Sequence, residues 1–154
     1  MDAEAIKKRY LTAVIAAAGI ITAIVIYTVA VEALCRGGYK PPLTPPASYL
    51  ATYAFYIAAT AALMAVRLAT RVMDEKKPTL EGTVKLLTKL AIIRAAICEV
   101  PAVCGLILFI LTGDRRSFYL LIVFAAALEV YYFPRLAAWK ERLRGEFGQL
   151  PNNP

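Results

Sequence analysis

Residues 90–135 read LAIIRAAICEVPAVCGLILFILTGDRRSFYLLIVFAAALEVYYFPR, two apolar runs joined by a short polar turn, each carrying one glutamate. Leu90–Leu111 and Ser117–Phe133 are each about the length needed to cross a hydrocarbon core of about 30 Å. The turn between them, Thr112 to Arg116, is so short that only an antiparallel helical hairpin fits. Glu99 lies 12 residues before Leu111, and Glu129 lies 12 residues after Ser117. At about 1.5 Å per residue both carboxyls sit about 18 Å below the turn, at one depth. Ionisable groups at that depth are costly, so they are expected to face protein or water and to have partners.

The rest of the chain agrees with a membrane setting. Of 154 residues, 60% are apolar, which points to one all-α integral membrane domain over residues 1–154. The net charge of +7 is not a nucleic-acid footprint, because the basic residues flank apolar runs, where they set topology. Histidine is absent, which removes imidazole-ligated haem, imidazole metal sites and Ser–His or Cys–His catalysis. The three cysteines lack zinc spacing. Cys98 and Cys104 share a helix and point to different sides, so Cys35, Cys98 and Cys104 read as apolar fillers.

Four spans are expected, at about residues 11–34, 49–70, 90–111 and 117–133. The first follows Lys7, Lys8 and Arg9, and its 24 apolar-rich residues exceed a signal-peptide core. Ala16, Gly19 and Ala23 are spaced for close helix approach, and Glu32 near the outer end is given headgroups or Arg36 as partners. The loop Arg36–Ser48, with two Pro-Pro pairs, reads as a stiff connector. In the second span Ala51, Ala54, Ala58, Ala61 and Ala65 form an alanine seam expected to pack on a neighbour. Tyr49, Tyr53 and Tyr56 lie opposite it as an interfacial belt.

Residues 71–89 form the longest polar connection. Pro78-Thr79 predicts a helix start with Thr79 as N-cap, and Leu80, Val84 and Leu87 are expected to lie against lipid. Past the fourth span, Pro134 bends the chain into an amphipathic helix over 135–147. Leu136, Trp139, Leu143 and Phe147 share its apolar side, and Trp139, Lys140, Arg142 and Arg144 make it a candidate membrane-surface helix. Thirteen Lys and Arg fall on the side of the termini and four on the other, which places both termini in the cytoplasm and the chain in the inner, cell membrane.

The candidate ion or proton site is Glu99, Glu129, Arg94 and Pro101. Pro101 has no N–H for the carbonyl of Ile97, which leaves an acceptor about one turn from Glu99. A carboxylate beside a free carbonyl suits a proton or small cation. The structural alternative pairs Arg94 with Glu129 and ties the hairpin together. Ala125, Ala126 and Ala127, opposite Ala95, Ala96, Ala102 and Gly105, allow close approach, and Tyr131 or Tyr132 is placed to donate to a carboxyl.

Ala96–Leu111 (AICEVPAVCGLILFIL) resembles the carboxylate-bearing helix of the rotary ATP synthase proteolipid subunit. That resemblance would give Glu99 the ion-carrying role, with Pro101, Ala102 and Gly105 beside it. It departs from the family in span count and in the missing glycine-rich partner helix. The pattern Glu99-Val100-Pro101-Ala102, Gly105-Leu106, Leu111 to Asp114 and Phe133-Pro134-Arg135 is similar to small uncharacterised bacterial four-helix membrane proteins, which implies architecture without an activity. The span count also resembles small four-helix multidrug transporters, whose glutamate sits in the first span, where this chain has none at mid-depth.

The leading functional expectation is a non-enzymatic subunit or accessory protein of a membrane assembly with a buried Arg/Glu cluster. The alternative is a small proton- or cation-handling protein that uses the paired glutamates. No cofactor is implied. The expected partners are the lipid bilayer and either further copies of the chain or other membrane subunits, with no nucleic acid.

Overall fold

The computed structural model describes residues 3–73 and 79–147, and these form five helices with no strand among them. They are α1 (Ala3–Arg36), α2 (Ala47–Met73), α3 (Leu80–Thr112), α4 (Arg115–Tyr132) and α5 (Leu136–Phe147). α1, α2 and α3 are each long and apolar enough to cross a membrane. α4 carries Arg115, Arg116 and Glu129 in 18 residues, and it meets the same measure only when joined to α5 across a 42° elbow.

Local chemistry sets the helix ends. Thr79 caps α3 in extended backbone, its side chain accepting from the Gly82 N–H at 3.1 Å. Lys76, Lys77 and Pro78 lie outside the described residues. α3 stops at Gly113, whose φ of 71° is left-handed and whose N–H donates to the Phe109 carbonyl at 2.7 Å. Asp114 then caps α4 at once, accepting from the N–H of Arg116 and of Ser117 and from the Ser117 hydroxyl. One left-handed glycine followed by one capping aspartate makes the whole turn.

α3 is the hub. Across its most apolar stretch 44% of residues are buried, against 17% in α1 and in α2. α1 and α2 pack separately on the α3–α4 hairpin. Ile24 and Val31 of α1 join Ala102, Phe109, Phe118, Ile122 and Ala125 in one cluster. Ala59 of α2 joins Cys104, Leu108 and Leu121, and Val66 joins Cys98 and Leu128. Within the hairpin, Gly105 lets α4 in closely: a Cβ there would stand 3.1 Å from the Leu121 Cβ and 3.3 Å from the Phe118 carbonyl oxygen.

The packing faces differ from those expected on α1 and α2. Ala54, Ala58, Ala61 and Ala65 are exposed, and the side of α2 that packs carries Ala59, Ala62 and Val66. On α1 the buried positions are Ala13, Ala17, Ile24 and Val31, while Gly19 faces open space. Both helices are apolar all round, so small-residue spacing alone does not fix which side meets protein.

The end of the bundle where α3 begins also differs from expectation. α3 runs unbroken for 33 residues, about 50 Å, well beyond a hydrocarbon core. Its first turns do not lie against lipid: Val84 and Leu87 are buried with Ala13, Ala91, Trp139 and Leu143, flanked by Ile6, Tyr10 and Leu80. Tyr10 meets Trp139 edge-on at 5.5 Å, and its hydroxyl donates to the Pro134 carbonyl at 3.2 Å. At the opposite end the proline loop folds over α3. Tyr39 Oη donates to the Ile110 carbonyl at 2.8 Å, the Leu43 N–H donates to the Leu111 carbonyl at 3.0 Å, and Pro41 lies against Gly113.

Candidate polar site in the bundle interior

Glu129 is 1% exposed, on the face of α4 that packs into the bundle. Its Oε1 has no hydrogen-bond partner. Carboxyl oxygens taken out of water without a partner are costly, by several kcal/mol if charged. Ala125, one turn earlier, is fully buried and lets α4 approach its neighbours at this level. Glu99, half-buried on α3, is near enough to act on Glu129 electrostatically.

Glu99 has a donor that sequence reasoning missed. Tyr27 of α1 donates its hydroxyl to Glu99 Oε1 at 2.6 Å, a short charge-assisted geometry. A usable signal existed: Tyr27 is an aromatic hydroxyl well inside an otherwise aliphatic span, where its O–H requires an acceptor. The tyrosines expected in this role go elsewhere. Tyr131 is 74% exposed, and Tyr132 lies under the Arg94 guanidinium, 5.9 Å from ring centroid to Cζ.

Arg94 turns toward α2, where its Nε donates to Thr70 Oγ1 at 3.0 Å. Cys98, fully buried one turn along α3, lies within electrostatic reach of both Arg94 and Glu129. Pro101 is buried, and α3 continues through it without a break. Tyr27 and Glu99 thus meet in a hydrogen bond, Glu129 lies within electrostatic range of Glu99, and Arg94 contacts Thr70 and Tyr132. Among the described residues no three His, Cys, Asp or Glu side chains converge, so a cation here would find two carboxyls and a phenol.

A second polar contact joins α1 to α4 near the turn. Glu32 accepts from Arg115 Nη2 at 2.7 Å and from the Tyr119 hydroxyl. Sequence reasoning had offered Glu32 only headgroups or Arg36. The basic residue that takes it comes 83 positions later, beyond any local pattern.

The surface-helix residues also need correction. Trp139 and Leu143, the centre of the apolar side of α5, are 6% and 0% exposed because α1 and α3 cover them. Lys140 and Arg144 are exposed, and Arg142 is half-buried. Phe147 is a side chain outside the described set. The helix is amphipathic as expected, but the centre of its apolar side is occupied by protein, while Leu136 remains exposed.

No protein-family model, curated protein or solved structure matches the chain.

Proposed function

We propose that this chain is a four-span protein of the cell membrane, with both termini cytoplasmic, that binds a proton or a small monovalent cation at Glu129 and Glu99. α4 is the fourth span, and α5 is the cytoplasmic helix past the Pro134 elbow. The observation that carries the reading is the buried Glu129 Oε1 without a partner. A buried carboxyl oxygen without a hydrogen-bond donor favours a bound proton or a cation, because desolvation penalises the bare charge. Glu99 beside it, held by Tyr27, is the second acceptor needed for the bound species to move between two groups.

The test is an infrared titration of carboxyl bands in reconstituted membranes, with and without sodium, for the parent chain and for Glu99→Gln and Glu129→Gln. A protonated-carboxyl band near neutral pH that vanishes in Glu129→Gln and responds to sodium or to Glu99→Gln supports the proposal. Ionised carboxylates indifferent to cation and to either substitution overturn it.

The second reading, a non-enzymatic subunit of a membrane assembly, is favoured by a different observation. Large apolar side chains on α1 and α2, such as Ile15, Val29, Leu50, Ile57 and Leu68, are exposed over much of both helices. In that case Glu99, Tyr27 and Arg94 hold the bundle together, Arg94→Ala unfolds it, and vesicles show no pH- or sodium-dependent flux.

A further inference from the structure

A cleft of about 440 Å³ opens between α3 and the α4–α5 elbow, away from the carboxyl pair. Three of its lining side chains are arginines: Arg94 from α3, Arg135 from the elbow and Arg142 from α5. Among the described residues, none that lines it is acidic. Tyr132 and Trp139 form aromatic walls, and the α3 lining runs from Leu87 through Leu90 to Arg94, the last of these furthest toward the apolar part of the helix. Pro134, Arg135 and Ala138 also line it, so the N-terminal end of the 12-residue α5 borders the opening. Helix starts carry unpaired N–H groups and partial positive charge, which add to the three guanidiniums.

The guanidiniums come from three separate places in the chain, on backbone that packing holds in place. Arg94 is oriented by Thr70 and by the Tyr132 ring. Arg142 lies on the same helix as Trp139 and Leu143, which are locked against α1 and α3. The elbow that presents Arg135 is fixed by the bond from Tyr10 to Pro134. Planar guanidiniums with fixed stems recognise the oxygens of phosphate through paired N–H donors. A volume of this size accommodates a small polar group such as a headgroup.

We propose that this cleft binds a phosphate group, with Arg135 and Arg142 as donors and the N-terminus of α5 beside them. The position at the end of the bundle where α5 docks, with apolar Leu87, Leu90 and Trp139 in the lining, suits the phosphodiester of an anionic lipid. A soluble phosphate shares the chemistry and is separated from it by experiment.

Trp139 is the single tryptophan of the chain and lines the cleft, so its emission reports occupancy directly. The full chain in maltoside micelles is titrated with dihexanoyl phosphatidylglycerol, dihexanoyl phosphatidylcholine and inorganic phosphate. Phosphatidylglycerol is expected to shift the emission saturably and phosphatidylcholine not to. Arg135→Gln and Arg142→Gln should each raise the midpoint roughly tenfold. Lys140→Gln and Arg144→Gln, which remove the same charge from exposed positions of α5, should leave it within about twofold. Helical circular dichroism of each variant establishes that it is folded. Inorganic phosphate acting with the same arginine dependence assigns the site to a soluble ligand, and its silence beside an active phosphatidylglycerol assigns it to lipid. Absence of any saturable shift, or equal effects from all four substitutions, overturns the proposal.

Discussion

Tyr27 gives Glu99 a hydroxyl donor from outside the hairpin. Tyr27→Phe removes a single hydroxyl and strands one carboxylate oxygen in a half-buried setting. It should lower stability by about 1–3 kcal/mol, measured by chemical unfolding in micelles, with the helix count unchanged. At Gly105 the constraint is steric instead. Any Cβ would press on the Leu121 Cβ and on backbone at Phe118, which cannot move aside as a flexible side chain would. Gly105→Ala should therefore cost about 1–3 kcal/mol in the same assay, even though alanine is the better helix former. The α3–α4 hairpin that carries both glutamates was legible in the sequence because two apolar runs flank a turn of a few residues. The donor was not, because Tyr27 and Glu99 are 72 positions apart and meet only through the rotation of α1 about its axis.

Among the elements, the end signals were readable and the packing faces were not. Thr79, Gly113 and Asp114 act through atoms within a few residues, so their roles follow from identity and order. The buried side of α2 depends on which way an all-apolar helix is turned, and neither lipid nor hydrophobicity separates Ala58 from Ala59. α5 was legible as amphipathic, but the same stripe suits a bilayer surface or a protein groove. Two substitutions probe these elements. Gly113→Ala places a side chain at φ +71°, with its Cβ 3.0 Å from Pro41 Cγ, and should cost about 1–2 kcal/mol. Limited proteolysis should then cut the 37–46 loop sooner, because that loop rests on the end of α3. Leu143→Ala empties a fully buried position and should weaken the docking of α5 by about 2–5 kcal/mol. A red shift of Trp139 emission, with the remaining helices intact by circular dichroism, would register the release.

On the scale of the whole molecule, the charge asymmetry makes a prediction about orientation. Lys40 is exposed on the proline loop and Lys140 is exposed on α5, toward the other end of the bundle. In a Cys35→Ala background, Lys40→Cys should react with a membrane-impermeant maleimide applied to intact cells, and Lys140→Cys should react only after lysis. The opposite pattern would reverse the topology. Cys98 and Cys104 are buried and should stay silent in both conditions.

The separate seating of α1 and α2 on a hairpin that follows them in the chain has a consequence for biogenesis. A ribosome delivers these two helices to the membrane before any of α3 or α4 exists. Glu32 leaves the translocon 83 residues ahead of Arg115, and Tyr27 leaves it 72 residues ahead of Glu99. Until then each nascent helix has only lipid, or an insertion chaperone, as company. A transcript cut short before residue 80 should yield two unassociated helices open to quality-control proteolysis. The hairpin made of α3 and α4 decides whether the two helices before it survive.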